Sequence, residues 1–211
     1  MNDLETLVSG CTVIPVLTIA RVEDAVPLAR TLVRGGLRVL EVTLRTPAGA
    51  AAAAAIRREV PDAVVALGTV LNEADVALAR ALGVPFCFSP GLTPALLQAA
   101  RDGGLALIPG IQTPSELMLA LEFGLSAVKF FPAGQAGPGA LRALGGPFPS
   151  VRFCPTGGIS EDGAGEWLAM PSVFAVGGSW LAPAGDVAQQ SWDAIESRAH
   201  RAASLAASVR A

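Results

Sequence analysis

Short, strongly apolar runs alternate with amphipathic stretches along nearly the whole chain. The runs are TVIPVLTI (12–19), RVLEVTLR (38–45), AVVALGTV (63–70), PFCFSPG (85–91), LALIPG (105–110), AVKFFPA (127–133), VRFCPTGG (151–158) and SVFAVGGSW (172–180). They are too apolar to have one wet face, which predicts parallel strands covered on both sides. Between them, EDAVPLARTLVRGG, NEADVALARALG, TPALLQAARDGG and TPSELMLALEFG have the spacing of amphipathic helices. Thr46-Pro47, Thr93-Pro94 and Thr113-Pro114 read as helix starts, and Gly35, Gly83, Gly103 and Gly124 as helix ends. The run Ala50 to Ala55 is a strong helix former, and a last helix is expected from about Asp186 to Ser208.

Eight strand–helix units predict an α/β fold: a (β/α)8 TIM barrel with a short N-terminal helix, an open doubly wound sheet being the alternative. No linker or composition break divides the chain, so residues 1–211 read as a single (β/α)8 barrel domain.

Charge and cysteine content narrow the partners. A net charge of −3 with scattered basic residues excludes the basic face that a nucleic acid or an anionic membrane would need. Cys11, Cys87 and Cys154 are odd in number and widely spaced, and His200 stands alone in a polar helix. Neither a structural metal nor a disulfide framework is expected. The N-terminal MNDLETLVSG lacks the pattern of a signal peptide, and no apolar run has the length of a membrane span. The expectation is a soluble cytoplasmic protein without cofactor or metal.

Barrel enzymes carry their chemistry at the C-terminal ends of the strands. In LEVTLR, Glu41, Thr43 and Arg45 share one parity and face the same side. Two readings stand: a buried Glu41–Arg45 ion pair, or a site. Lys129 is the only lysine among 15 basic residues and lies in the apolar run AVKFFPA. It is either a lysine whose stem is buried and whose ammonium reaches solvent, or a nucleophilic amine. A desolvated ammonium gives up its proton more readily, and a neutral amine attacks a ketone to form a Schiff base. Glu41 is the available proton carrier, and Arg45 could hold a substrate carboxylate with two hydrogen bonds. The glycine pairs Gly157-Gly158 and Gly177-Gly178 follow the last two strands, where many barrels bind phosphate through backbone N–H groups.

GLRVLEVTLRT, VALGTVLN, FSPGLT, IPGIQTPSE, VKFFPA, VRFCPTGGIS and GGSWL occur in this order from about residue 10 to 183. Together they resemble the 2-keto-3-deoxy-6-phosphogluconate (KDPG)/4-hydroxy-2-oxoglutarate (KHG) aldolase family. The resemblance implies a class I, metal-independent aldolase on a (β/α)8 barrel, a homotrimer acting on a 2-keto-3-deoxy phospho sugar acid. It makes Lys129 the Schiff-base lysine and Glu41 the general acid/base. It places Arg45, Thr69 and Pro90 around the pyruvate portion, with Phe131 walling the pocket and Thr156 lining it. Gly157, Gly158, Gly178 and Ser179 become the phosphate site. Three alternatives remain: KHG cleavage to pyruvate and glyoxylate, cleavage of the galactonate epimer, and a barrel that binds phospho sugar acids without turnover.

Overall fold

The computed structural model describes residues 11–209, with side chains described to residue 205; the expected N-terminal helix lies outside the described residues. Among the described residues nine strand segments occur, each but the fifth followed by a helix, and every strand pair is parallel. The strands are β1 (Val13–Leu17), β2 (Val39–Thr43), β3 (Val64–Gly68), β4 (Phe86–Phe88), β5 (Ala106–Ile108), β6 (Gly110–Ile111), β7 (Ala127–Phe130), β8 (Arg152–Pro155) and β9 (Val176–Gly178). They form a six-stranded sheet, β5-β4-β3-β2-β1-β9, and a three-stranded sheet, β6-β7-β8.

The fifth apolar run therefore yields two strands where the sequence predicts one. Pro109 separates them, and proline has no N–H to give to a ladder. Its carbonyl still accepts a hydrogen bond from Lys129 N–H at 2.8 Å. On the other side, single bridges Phe153–Val173 and Thr156–Gly177 tie β8 to the β9 segment.

Alternation along the strands sorts the apolar side chains into two cores. Val13 and Leu17, Leu40 and Val42, Val65 and Leu67, Val128 and Phe130 pack outward against the helices. Ile14, Val39, Ala66, Phe86, Phe88, Ile108, Cys154 and Ala175 form a second cluster on the opposite face. A curled parallel sheet produces this arrangement, because one face converges on a small interior and the other on a shell of helices.

The helices are α1 (Ala25–Arg34), α2 (Gly49–Glu59), α3 (Glu73–Leu82), α4 (Pro94–Asp102), α5 (Pro114–Glu122), α6 (Ala133–Gly145), α7 (Ala164–Leu168), α8 (Ala184–Ala188) and α9 (Trp192–Val209). Thr93 and Thr113 cap α4 and α5 as expected; Thr113 and Glu116 form a full capping box. Thr46 does not cap α2. Its hydroxyl donates to Ile19 O at 2.5 Å, and the helix starts at Gly49, packed so tightly that a Cβ would lie 2.5 Å from Thr43 O. The expected continuous C-terminal helix is two helices. Gln190 takes φ 54 between them, with Gln190 N–H bonded to Val187 O and Ser191 N–H to Asp186 O, the pattern of a left-handed C-terminal cap.

Candidate active site

Glu41 lies in β2 of the larger sheet and Lys129 in β7 of the smaller one. Both have the inward parity set by Val39 and Cys154, since β7 pairs Lys129 with Cys154. Their side chains meet across the interior, Lys129 Nζ being 2.9 Å from Glu41 Oε1 and 3.2 Å from Oε2. Lys129 is 3% exposed and Glu41 1%. This contact decides both open readings: Glu41 pairs with the lysine and not with Arg45, and the lysine head is buried with a carboxylate, not solvated.

The neighbouring residues make room for the pair. Gly68, at an inward position of β3, would place a Cβ 2.3 Å from Glu41 Oε1. Only a residue without a side chain leaves the carboxylate where the lysine can reach it. Phe88 and Phe131 present their rings to the ammonium at 5.2 and 5.7 Å, where the negative ring faces attract a cation. Cys154 sits one strand over, its thiol pushed up to about 12, mainly by burial. A thiol so far from ionisation is a packing group.

Above the ion pair the strand ends carry the other expected residues. Arg45 is exposed, and its Nε donates to Thr69 Oγ1 at 3.3 Å. Thr69 holds a left-handed backbone, φ 62, which a β-branched residue adopts only under constraint. Pro90 is half-buried with its carbonyl against Gly110, where a Cβ would come within 2.2 Å. Phe131 stacks its ring beneath Gly157, and Thr156 lies against Gly177, donating to Cys154 O at 3.2 Å.

The Thr156–Gly177 bridge sets the two glycine turns side by side. Gly157 and Gly158 have φ of 92 and 74, and Gly158 packs on Gly134 at the start of α6. Gly178 is buried under the Trp180 ring, and Ser179 is exposed beside it. Arg21, beyond β1, is held by two hydrogen bonds to the buried Asp24 at 2.9 and 2.8 Å.

Several contributors escaped the sequence reading. Gly68 carried a signal: it follows Val64 and Ala66 at the same parity, one strand from Glu41. Phe88, Gly134 and Trp180 gave none, because their roles depend on contacts between distant segments.

A family model for "KDPG and KHG aldolase" matches residues 4–198. The chain is 50% identical over 198 residues to the 2-dehydro-3-deoxy-phosphogluconate aldolase of Pseudoalteromonas atlantica, covering 93% of this chain and 92% of that one. The solved KDPG aldolase of Legionella pneumophila, with pyruvate captured as a covalent carbinolamine, superposes with a TM-score of 0.91 at 40% identity, covering 94% and 97% of the two chains. That of Zymomonas mobilis, with 3-phosphoglycerate, gives 0.90 at 45% identity and 97% coverage of both. A buried lysine–carboxylate pair beneath glycine turns, in a chain this similar throughout, places the protein in the KDPG and KHG aldolase family.

Proposed function

We infer that the protein is a class I aldolase that cleaves 2-keto-3-deoxy-6-phosphogluconate to pyruvate and glyceraldehyde 3-phosphate. The observation that carries this reading is the buried Lys129–Glu41 contact, with both carboxylate oxygens within hydrogen-bond reach of Nζ. Glu41 can take a proton from the Lys129 ammonium, freeing a neutral amine to attack the C2 ketone. Glu41 returns that proton to the carbinolamine hydroxyl, which leaves as water and gives the protonated imine, an electron sink that does the work a metal ion does in other aldolases. Glu41 then removes the C4 hydroxyl proton, directly or through a water. The C3–C4 electron pair moves toward the imine nitrogen, the aldehyde leaves, and an enamine remains. Protonation at C3 and hydrolysis release pyruvate and restore the amine.

Arg45, steered by Thr69, holds the C1 carboxylate, with Pro90, Phe131 and Thr156 shaping the pyruvate pocket. Gly157, Gly158, Gly178 and Ser179 receive the phosphate. The pairing of the two glycine turns supports this role, since neighbouring backbone amides can converge on one anion.

We read residues 1–211 as one domain, an eight-stranded barrel in which β5 and β6 act as one strand bent at Pro109 and β8 meets β9 through its two bridges. The family resemblance supports a homotrimeric state and a cytoplasmic location. Among the described residues no helix is long and apolar enough to cross a membrane. The same lysine and glutamate can also cleave 4-hydroxy-2-oxoglutarate, a substrate within the family's name.

A coupled assay for pyruvate release tests the assignment. KDPG should be cleaved with a kcat/KM well above that for 4-hydroxy-2-oxoglutarate. Turnover of the latter alone would overturn the phosphorylated substrate.

A further inference from the structure

The mouth of the site contains a hydroxyl that the mechanism above leaves unused. Thr18 follows β1 directly, continuing the inward parity of Ile14. β1 pairs Val16 with Glu41, so Thr18 stands level with Thr43, one inward layer above the Glu41 carboxylate. A layer is two residues along a strand, about 6.6 Å. Thr18 is exposed and Thr43 is fully buried.

The hydrogen bonds fix which way the Thr18 hydroxyl is polarised. Thr43 Oγ1 donates its single proton to Leu17 O at 2.9 Å. In the 3.3 Å contact between the two hydroxyls, Thr43 is therefore the acceptor and Thr18 the donor. Thr18 is exposed, and its oxygen keeps lone pairs that can accept from a substrate hydroxyl.

The order of strands indicates which hydroxyl. β1 lies between β9, which ends in Gly178, and β2, which carries Glu41, Thr43 and leads to Arg45. In the proposed substrate, C5 lies between C4, whose hydroxyl Glu41 deprotonates, and C6, which bears the phosphate. The strand order thus matches the carbon order. Building on the proposed function, we propose that Thr18 is a specificity-determining residue that accepts a hydrogen bond from the C5 hydroxyl. It selects aldehydes with a hydroxyl at C2.

The test uses the reverse reaction, the addition of pyruvate to D-glyceraldehyde 3-phosphate or to its 2-deoxy analogue, 3-phosphooxypropanal. The wild-type enzyme prefers the hydroxylated aldehyde. In Thr18→Val, which keeps the shape and removes the acceptor, the ratio of kcat/KM values falls about tenfold, the worth of one well-made hydrogen bond. Thr18→Ser restores the ratio to within roughly threefold of wild type. An unchanged ratio in Thr18→Val overturns the assignment, whether both aldehydes slow together or neither does. If the wild type condenses pyruvate with neither aldehyde, the phospho sugar acid reading fails and this inference falls with it.

Discussion

At the scale of single residues, Lys129 and Glu41 dominate because burial leaves each dependent on the other. Removing one partner of a buried pair strands the other charge, whereas replacing both by apolar groups can be neutral. Lys129→Met should therefore cost about 3–5 kcal/mol, and the double variant Lys129→Met/Glu41→Leu should recover most of that in urea unfolding. Glu41→Gln keeps the volume and a hydrogen-bonding oxygen but loses the base. Its kcat should fall by roughly 10²–10⁴, as expected when a general acid–base group is removed. The cysteines behave oppositely. Burial is the main cause pushing Cys87 and Cys154 up to about 12 and Cys11 to about 11. All three should resist iodoacetamide at pH 8 in the native protein and react readily once unfolded; a fast native reaction at Cys87 or Cys154 would contradict their burial.

The scale of elements shows what the sequence carried. Strand positions were readable because strands buried on both faces leave apolar runs that helices and turns interrupt. Thr93 and Thr113 were readable as caps because the interaction lies within four residues. Replacing Thr113 by Ala should cost about 1 kcal/mol, read as a lowered urea midpoint, since Glu116 N–H loses its hydroxyl acceptor while the backbone N–H at 113 keeps the Glu116 carboxylate. The break at Pro109 and the cap at Gln190 were less legible. The first reflects a missing N–H within an otherwise ideal apolar run, and the second a left-handed conformation adopted without glycine. Thr46 looked like a cap, yet its hydroxyl found a tertiary partner in Ile19 O. The parity of Glu41 and Arg45 was visible in the sequence; that Gly68 opens the space for the carboxylate required the β2–β3 register.

At the scale of the whole molecule, the two sheets matter because Glu41 and Lys129 come from different ones, 88 residues apart in sequence. The site exists only when both are assembled. α9 helps hold that assembly, packing on α1 so closely that a Cβ on Gly35 would lie 2.3 Å from Ala199 Cβ. Ion pairs Arg34–Glu196 and Arg201–Glu161 extend the contact. Hydrogen bonds from these arginines are the main cause holding the Glu161 and Glu196 carboxyls below the ordinary value. For Glu116, burial pushes up, but hydrogen bonds from Gln112 and Thr113 outweigh it and the net direction is down. A carboxyl lowered in the folded state adds stability that is present above its unfolded value, about 4.3, and is lost as pH falls through the folded one. The urea midpoint should therefore decline below about pH 4.3, and less steeply in Glu161→Gln. An identical pH slope in that variant would show that the Glu161–Arg201 pair does not contribute to the pH dependence.

Covalent imine formation at Lys129 is tested by borohydride reduction in the presence of pyruvate. Intact mass and peptide mapping should show one reduced pyruvyl adduct, on Lys129, absent from Lys129→Met. A folded wild-type protein that gains no adduct, or carries it elsewhere, would contradict the assignment.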